Sequence, residues 1–352
     1  EHWIGDQNRP LLVSFAVDTD SGQIDLTFNE TVNANELDVT CVSLHETRDN
    51  RTGGLFHYLR SYGPQGARTK GSLVSTGDGP TLVIQMSRED SDEIKRKPRL
   101  LTGRDTSYVA LDCDETYRDN AFPVNFGIRR SRVDALQAEV FVPDTTRPVL
   151  TSASLDLDVK ILTLEFDETV NASSLIVDYL QVQSTERDLS YTERVQLESY
   201  VTAGDIRHDR LSRRGSGRIS PAGSNVSIAI GDRDFAAMKL ATTFGSDATS
   251  TFVAAFSGAV LDMNGNKLTE VPLSKAVAAT NGVFRDNQPP SLASFALDLD
   301  SGVFALQFDE PVTRASLDMT KCTLAAADNE DSERVLFTNT HEFLEADDLD
   351  AI

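Results

Sequence analysis

The sequence predicts an all-β chain: tandem β-sandwich domains with short helical turns in their loops. Three observations predict it. The stretch 10–37, PLLVSFAVDTDSGQIDLTFNETVNANEL, is written three times, returning at 148–175 and 290–317. Ten positions agree in every copy without a gap: Pro10, Leu12, Ser14, Asp18, Asp20, Leu26, Phe28, Glu30, Val32 and Leu37, with equivalents 138 and 280 residues on. A period this long signals repeated domains rather than a solenoid of short units. Inside each copy apolar residues alternate with polar ones, as in half-buried strands, and turn-forming Asp, Ser and Gly separate the runs.

The elements follow in order. Residues 6–10 (DQNRP), 144–148 (DTTRP) and 286–290 (DNQPP) each place an Asp four residues before a Pro. They read as short, proline-stiffened linkers, with repeats at 1–146, 147–288 and 289–352, the last incomplete. Leu11, Val13, Phe15 and Val17 share one face of a first strand, and Asp18 and Asp20 read as a hairpin turn, with a role as ligands the alternative. The second strand turns Ile24, Leu26 and Phe28 inward. Residues 33–37 read as a helical turn before a third strand at 39–44. Further strands are expected near 56–60, 81–86, 107–111 and 138–142. A late motif, 90–94, 234–238 and 348–352, opens on Asp and reads as an N-capped helical turn. The third copy stops there, so the natural protein is expected to continue past Ile352, and an opening at Glu1 with no Met or apolar leader fits a processed or partial chain.

Charge narrows the function. With 33 basic and 55 acidic residues the formal net charge is −22, which opposes nucleic acid or an anionic membrane as partner. No apolar run is long enough to span a bilayer as a helix. The basic stretches 95–99, 129–132 and 207–218 read as solvated loop charge, with docking of basic loops onto an acidic neighbour as the alternative. Sequons at Asn29, Asn50, Asn171 and Asn225 are candidate N-glycan sites and point to a secreted protein.

Cys41 and Cys113 are both replaced in the second repeat, by Tyr179 and Ser257. Joint loss is expected of a disulfide pair and places the chain in an oxidising compartment; unrelated buried thiols are the alternative. Cys322, equivalent to Cys41, would pair with a residue beyond Ile352.

The pattern P-x-L-x-S-F-x-L-D-x-D-x-G-x-L-x-L-x-F-D-E-x-V, with the late helical turn and Asp262-Met-Asn-Gly-Asn266, resembles bacterial Ig-like domains of the S-layer type. Related tandem repeats occur in large surface proteins of bacteria and of unicellular eukaryotes, including algae. The resemblance implies an Ig-like sandwich and an extracellular structural role in a stalk, layer or filament. Other copies of the chain or neighbouring surface proteins would be the partners. An adhesin or glycan-binding module is the alternative.

Glu30, Glu168 and Glu310 keep the inward register one step past the strand phenylalanines, where a carboxylate must be paired, protonated or cation-bound. With the linker residues Asp6, Asp144 and Asp286 and the late-loop oxygens of Asp262, Asn264 and Asn266, they form candidate junction sites for Ca²⁺. This cation takes roughly six to eight oxygen ligands. Helix capping and ordinary turns are the alternative. The five histidines are scattered and no nucleophile–base motif is present, so no enzyme is expected.

Overall fold

The structure, a computed structural model, describes residues 5–60, 77–198, 223–241, 244–313, 316–326 and 333–338. The late motif 348–352 and the basic stretch 207–218 lie outside them. The chain divides into two compact units, Glu1–Asn287 and Gln288–Ile352, each described by itself.

The first unit holds two β-sandwiches of the same topology. In the first, β1 (Leu12–Asp18), β2 (Gln23–Val32), β3 (Val42–His45), β4 (Phe56–Tyr58) and β5 (Gly79–Gln85) lead to helix α1 (Arg88–Lys95). After it come β6 (Tyr108–Leu111), β7 (Leu136–Gln137) and β8 (Val140–Val142). One sheet has the order β5-β2-β1-β8, with β8 parallel to β1, and the other has the order β4-β3-β6-β7. Phe15, Leu26, Leu82 and Ile84 from the first sheet meet Leu44, Val109 and Leu111 from the second in a core with no exposure above 1 % at any of them. Each such side chain contributes about 1.5–3 kcal/mol by leaving water.

The second sandwich repeats the plan. Its strands are β9 (Leu150–Asp156), β10 (Ile161–Asn171), β11 (Leu180–Gln183), β12 (Arg194–Gln196) and β13 (Gly223–Ala229). Helix α2 (Asp232–Leu240) precedes β14 (Phe252–Ala255), β15 (Leu261–Asp262), β16 (Val277–Ala278) and β17 (Val283–Phe284). The sheets run β13-β10-β9-β17, with β15 on the end of β10, and β12-β11-β14-β16 around a core of their own. The second unit contains the hairpins β18 (Leu292–Asp298) with β19 (Val303–Phe308) and β20 (Thr323–Ala325) with β21 (Arg334–Leu336).

Three expectations need correction. The first strand does not bury Leu11, Val13, Phe15 and Val17 together: Leu12 is buried and Val13 is 46 % exposed. A bulge between Leu12 and Ser14 shifts the register against β2, and one extra residue exchanges the two faces. The third strand starts at Val42, because Asp38 caps a 3₁₀ turn over Val39–Cys41 by accepting from the Thr40 amide. The helix cap is Ser87, not Asp90. Ser87 Oγ accepts from the Asp90 amide and in turn donates to the Asp90 carboxylate. Asp90, 1 % exposed, also accepts from His57 and from the Arg60 amide.

Cys41 and Cys113 are joined in a disulfide 72 residues apart, with Cα atoms separated by 5.4 Å. Beside it the Asp112 amide donates to Cys41 O, and at the same place in the second repeat the Phe256 amide donates to Tyr179 O. The backbone is kept where the cross-link is lost.

Candidate functional site

Where the two sandwiches of the first unit meet, the linker and α1 act together. Helix α1 ends on Lys95, a cation placed favourably at the carboxyl end of the helix dipole. Its ammonium donates to Asp144 Oδ2 at 2.7 Å and Glu168 Oε2 at 2.6 Å. Asp144 comes from the linker and Glu168 from β10, so a lysine of repeat 1 is held by one carboxylate of the linker and one of the next repeat. Asp262, at the end of β15, completes a group of three acids whose oxygens lie within 4.8 Å of one another. Its Oδ1 accepts from the amides of Asn264 and Asn266, and Asn266 Nδ2 donates to Asp262 Oδ2 and to Asp144 O. Asn264 Nδ2 donates to Asp144 Oδ2 at 3.3 Å.

Three carboxylates and one ammonium leave an excess of negative charge in a half-buried place. Burial pushes Glu168 up to about 7, and the nearby charges of Asp144 and Asp262 add to it while Lys95 opposes. Asp144 is also raised, again chiefly by burial. Lys95 feels burial as a downward push, but its hydrogen bonds to Asp144 and Glu168 outweigh it and raise it. All three are shifted upward, which favours the charged form of the lysine and disfavours that of the acids. The lysine is secure as a cation, and burial disfavours the charged form of Glu168.

Further ties close the junction. Arg88 Nη2 donates to Phe166 O, and Thr169 Oγ1 donates to Asp92 on α1. Asp20 Oδ1 accepts from the amides of Thr145 and Thr146 in the linker, bonds that draw it down to about 2. The hairpin turn itself is made by Asp18, which accepts from the amides of Asp20 and Ser21. Met263 and Asn264 line one cleft with Met86, Ile94, Lys95 and Leu100.

The same acidic group exists in repeat 1, as Asp6, Glu30 and Asp119. Asp119 accepts from the Ala121 and Asn125 amides, while Asn125 Nδ2 donates to Asp119 Oδ2 and to Asp6 O. This is the bonding of Asp262 and Asn266, displaced by two inserted residues in the loop. Arg9 donates to Phe126 O and Gly127 O as Arg147 donates to Lys267 O and Leu268 O. Burial, then the charges of Asp6 and Asp119, raise Glu30, and its Oε1 is buried with no hydrogen-bond partner. At the far end of the unit, Lys239 on α2 donates to the linker residue Asp286 at 2.5 Å. Glu310 lies half-buried in the second unit, just past β19.

The structure therefore assembles Asp144, Glu168, Asp262, Asn264 and Asn266, and separately Asp6 with Glu30. Three participants were not singled out from sequence. Lys95 stands in a basic stretch that reads first as solvated loop charge and alternatively as docking onto an acidic neighbour; its side chain is only 17 % exposed at the junction. Lys239 follows Met238 as Lys95 follows Ile94, and that shared Lys was a readable signal. Asp119 was hidden by the insertion. In the second-repeat group the Lys95 ammonium lies against Asp144 and Glu168, so Ca²⁺ would have to displace it to gather these oxygens.

Of the sequons, Asn29 and Asn225 are exposed, whereas Asn50 and Asn171 are half-buried. Asn50 Nδ2, the atom that would carry a glycan, lies 3.2 Å from His45 Nδ1. Asn171 Oδ1 caps the turn over Ala172–Ser174. Asn29 Oδ1 accepts from the Leu11 amide, a bond repeated by Asp167 with Val149 and by Asp309 with Ser291.

No family model matches the chain, and no curated protein matches it. Among solved structures, the N-terminal part of the bacterial S-layer protein SbsC aligns at 11 % identity and a TM-score of 0.24. The alignment covers 55 % of this chain and 38 % of that one. A likeness at that level carries no argument about fold or role. Among the described residues, no helix is long and apolar enough to cross a membrane.

Proposed function

We propose that this chain is a length of an extracellular structural repeat protein. Its Ig-like sandwiches would be stacked head to tail in a cell-surface stalk, layer or filament, with other copies or neighbouring surface proteins as partners. One observation carries the reading: the linker Asp of each following repeat receives a lysine from the last turn of the preceding helix, at Lys95–Asp144 and again at Lys239–Asp286. A device repeated at successive linkers serves spacing and stiffness along a string of domains, not chemistry at one centre. The disulfide fits an oxidising compartment, and Asn29 and Asn225 are the sequons best presented for glycans. The proposed role is non-catalytic; the buried His57–Asp90 pair ties β4 to α1, and Ser87 caps the helix.

Electron microscopy of material from the native source tests this. Ordered fibres or sheets with an axial spacing of a few domain lengths are expected. Isolated strings with free ends would instead favour adhesion, with specificity in the loops.

A further inference from the structure

The acidic group of repeat 1 and the acidic group of repeat 2 have the same construction but different surroundings. Asp144 is 4 % exposed beneath Lys95, whereas its counterpart Asp6 is exposed. Glu168 holds the lysine through Oε2, and among the described residues no basic side chain reaches Asp6, Glu30 or Asp119. Glu30 Oε1 is buried with no hydrogen-bond partner, as is Glu168 Oε1, so what sets the two groups apart is that Lys95 compensates Glu168 while Glu30 feels only the charges of Asp6 and Asp119. The neighbouring loop points the same way. In repeat 2 the short loop after Asp262 brings Met263 to one cleft with Ile94 and Lys95 of α1. In repeat 1 the corresponding loop is longer and more apolar, and presents Phe122, 80 % exposed, and Val124, 39 % exposed.

We infer that Asp6, Glu30 and Asp119, with the Phe122 loop beside them, form a docking socket for a further repeat of the same construction, which inserts a lysine from the last turn of its late helix. The chain itself supplies the evidence for this occupant. The equivalent group receives Lys95 from an adjoining repeat, and Lys239 makes the same pairing with the next linker Asp. Charge agrees as well: three acids with no base attract a cation, and an ammonium carried on a helix end brings an apolar surface for the loop to cover. This rests on the tandem reading above, yet it fails separately, since ordered assemblies could be built without this socket.

The test extends the full chain by a second copy of residues 6–143 placed directly before Asp6. That added repeat meets Asp6 with the spacing at which repeat 1 meets Asp144. Spin labels on the added repeat and on repeat 1 are expected to report one narrow distance distribution. Changing the added copy's lysine to Met, or Glu30→Gln in the original, is expected to broaden it. The double variant should be no broader than either single one. Circular dichroism and melting confirm folding of each chain, and a copy of residues 144–285, which brings Lys239 instead, replaces an added repeat that does not fold. A broad distribution with both donors overturns the proposal. So does calorimetry of the unextended chain showing one Ca²⁺ bound with an affinity that falls tenfold or more in Glu30→Gln, because the group would then be a metal site.

Discussion

At the scale of single residues, the junction depends on one ammonium among three carboxylates. Removing one partner of a buried pair leaves the other charged and unpaired, at a cost of about 3 kcal/mol. Lys95→Met is therefore expected to lower the unfolding free energy by that order in urea denaturation, since Asp144 and Glu168 stay at the interface without a cation. The pH response has a definite sign. Glu168 titrates near 7 in the folded chain against 4.5 as a free group. The folded state thus holds a proton between these values that the unfolded state has lost. Stability falls as pH rises through 4.5 to 7, by about 1–3 kcal/mol. Asp144, also raised, acts in the same sense. Glu168→Gln, which cannot ionise but still accepts from Lys95, is expected to flatten most of that slope in melting curves taken across the window. A slope unchanged in the variant would assign the effect elsewhere. Asp20 has the opposite sign: its latch on the linker is held above the ordinary carboxylate value of 3.8 and lost as pH falls toward about 2.

At the scale of elements, repeat 1 contains two devices that repeat 2 lacks. The first is the disulfide, which closes a 72-residue span. A loop of that length is worth about 4 kcal/mol in the chain-entropy account. Cys113→Ser is expected to lower the first sandwich's melting transition while leaving that of the second nearly in place, as calorimetry would resolve. The second device is Tyr117, buried at 1 %, whose hydroxyl donates to Ile128 O. Its ring fills the space next to Gly127, where an added Cβ would come within 2.2 Å of it. At the corresponding position of repeat 2 stands Leu268, itself buried. Gly127→Ala must displace the ring and is expected to destabilise repeat 1 by about 1–3 kcal/mol, as overpacking does. These elements were unevenly legible in sequence. The hairpin β1–β2 was visible because its alternation and turn recur at fixed offsets. The bulge at Leu12–Ser14 was not, because an inserted residue in one strand shows only against its partner. The helix cap was misplaced for a related reason: Asp90 recurs and Ser87 does not, and recurrence drew attention from the side chain that meets the helix's first amides.

At the scale of the whole molecule, the site lies between repeats, and sequence reasoning found half of it. The acids at the linker and strand end repeat in register, so Asp6, Glu30, Asp144 and Glu168 could be named together. Their cation is not paired with them in sequence because Lys95 sits in a basic stretch that reads first as solvated charge and only alternatively as docking on an acidic neighbour, and nothing in one repeat's sequence shows which surface the next repeat covers. Once Lys95 is placed there, the mechanical consequence follows from its burial. Exposed ion pairs weaken in salt, whereas pairs withdrawn from solvent are screened far less. Asp144 and Lys95 have side chains 1 % and 17 % exposed, and Arg88 and Asp92 add bonds from the same helix to β10. Spin labels on repeats 1 and 2 should therefore give the same narrow distance distribution at low ionic strength and in about 1 M salt. In Lys95→Met the distribution should widen in both. Widening by salt alone, in the unaltered chain, would mean that the junction is held by surface charge. The repeats would then be links of a flexible string, and the case for a stiff structural element would lose its physical basis.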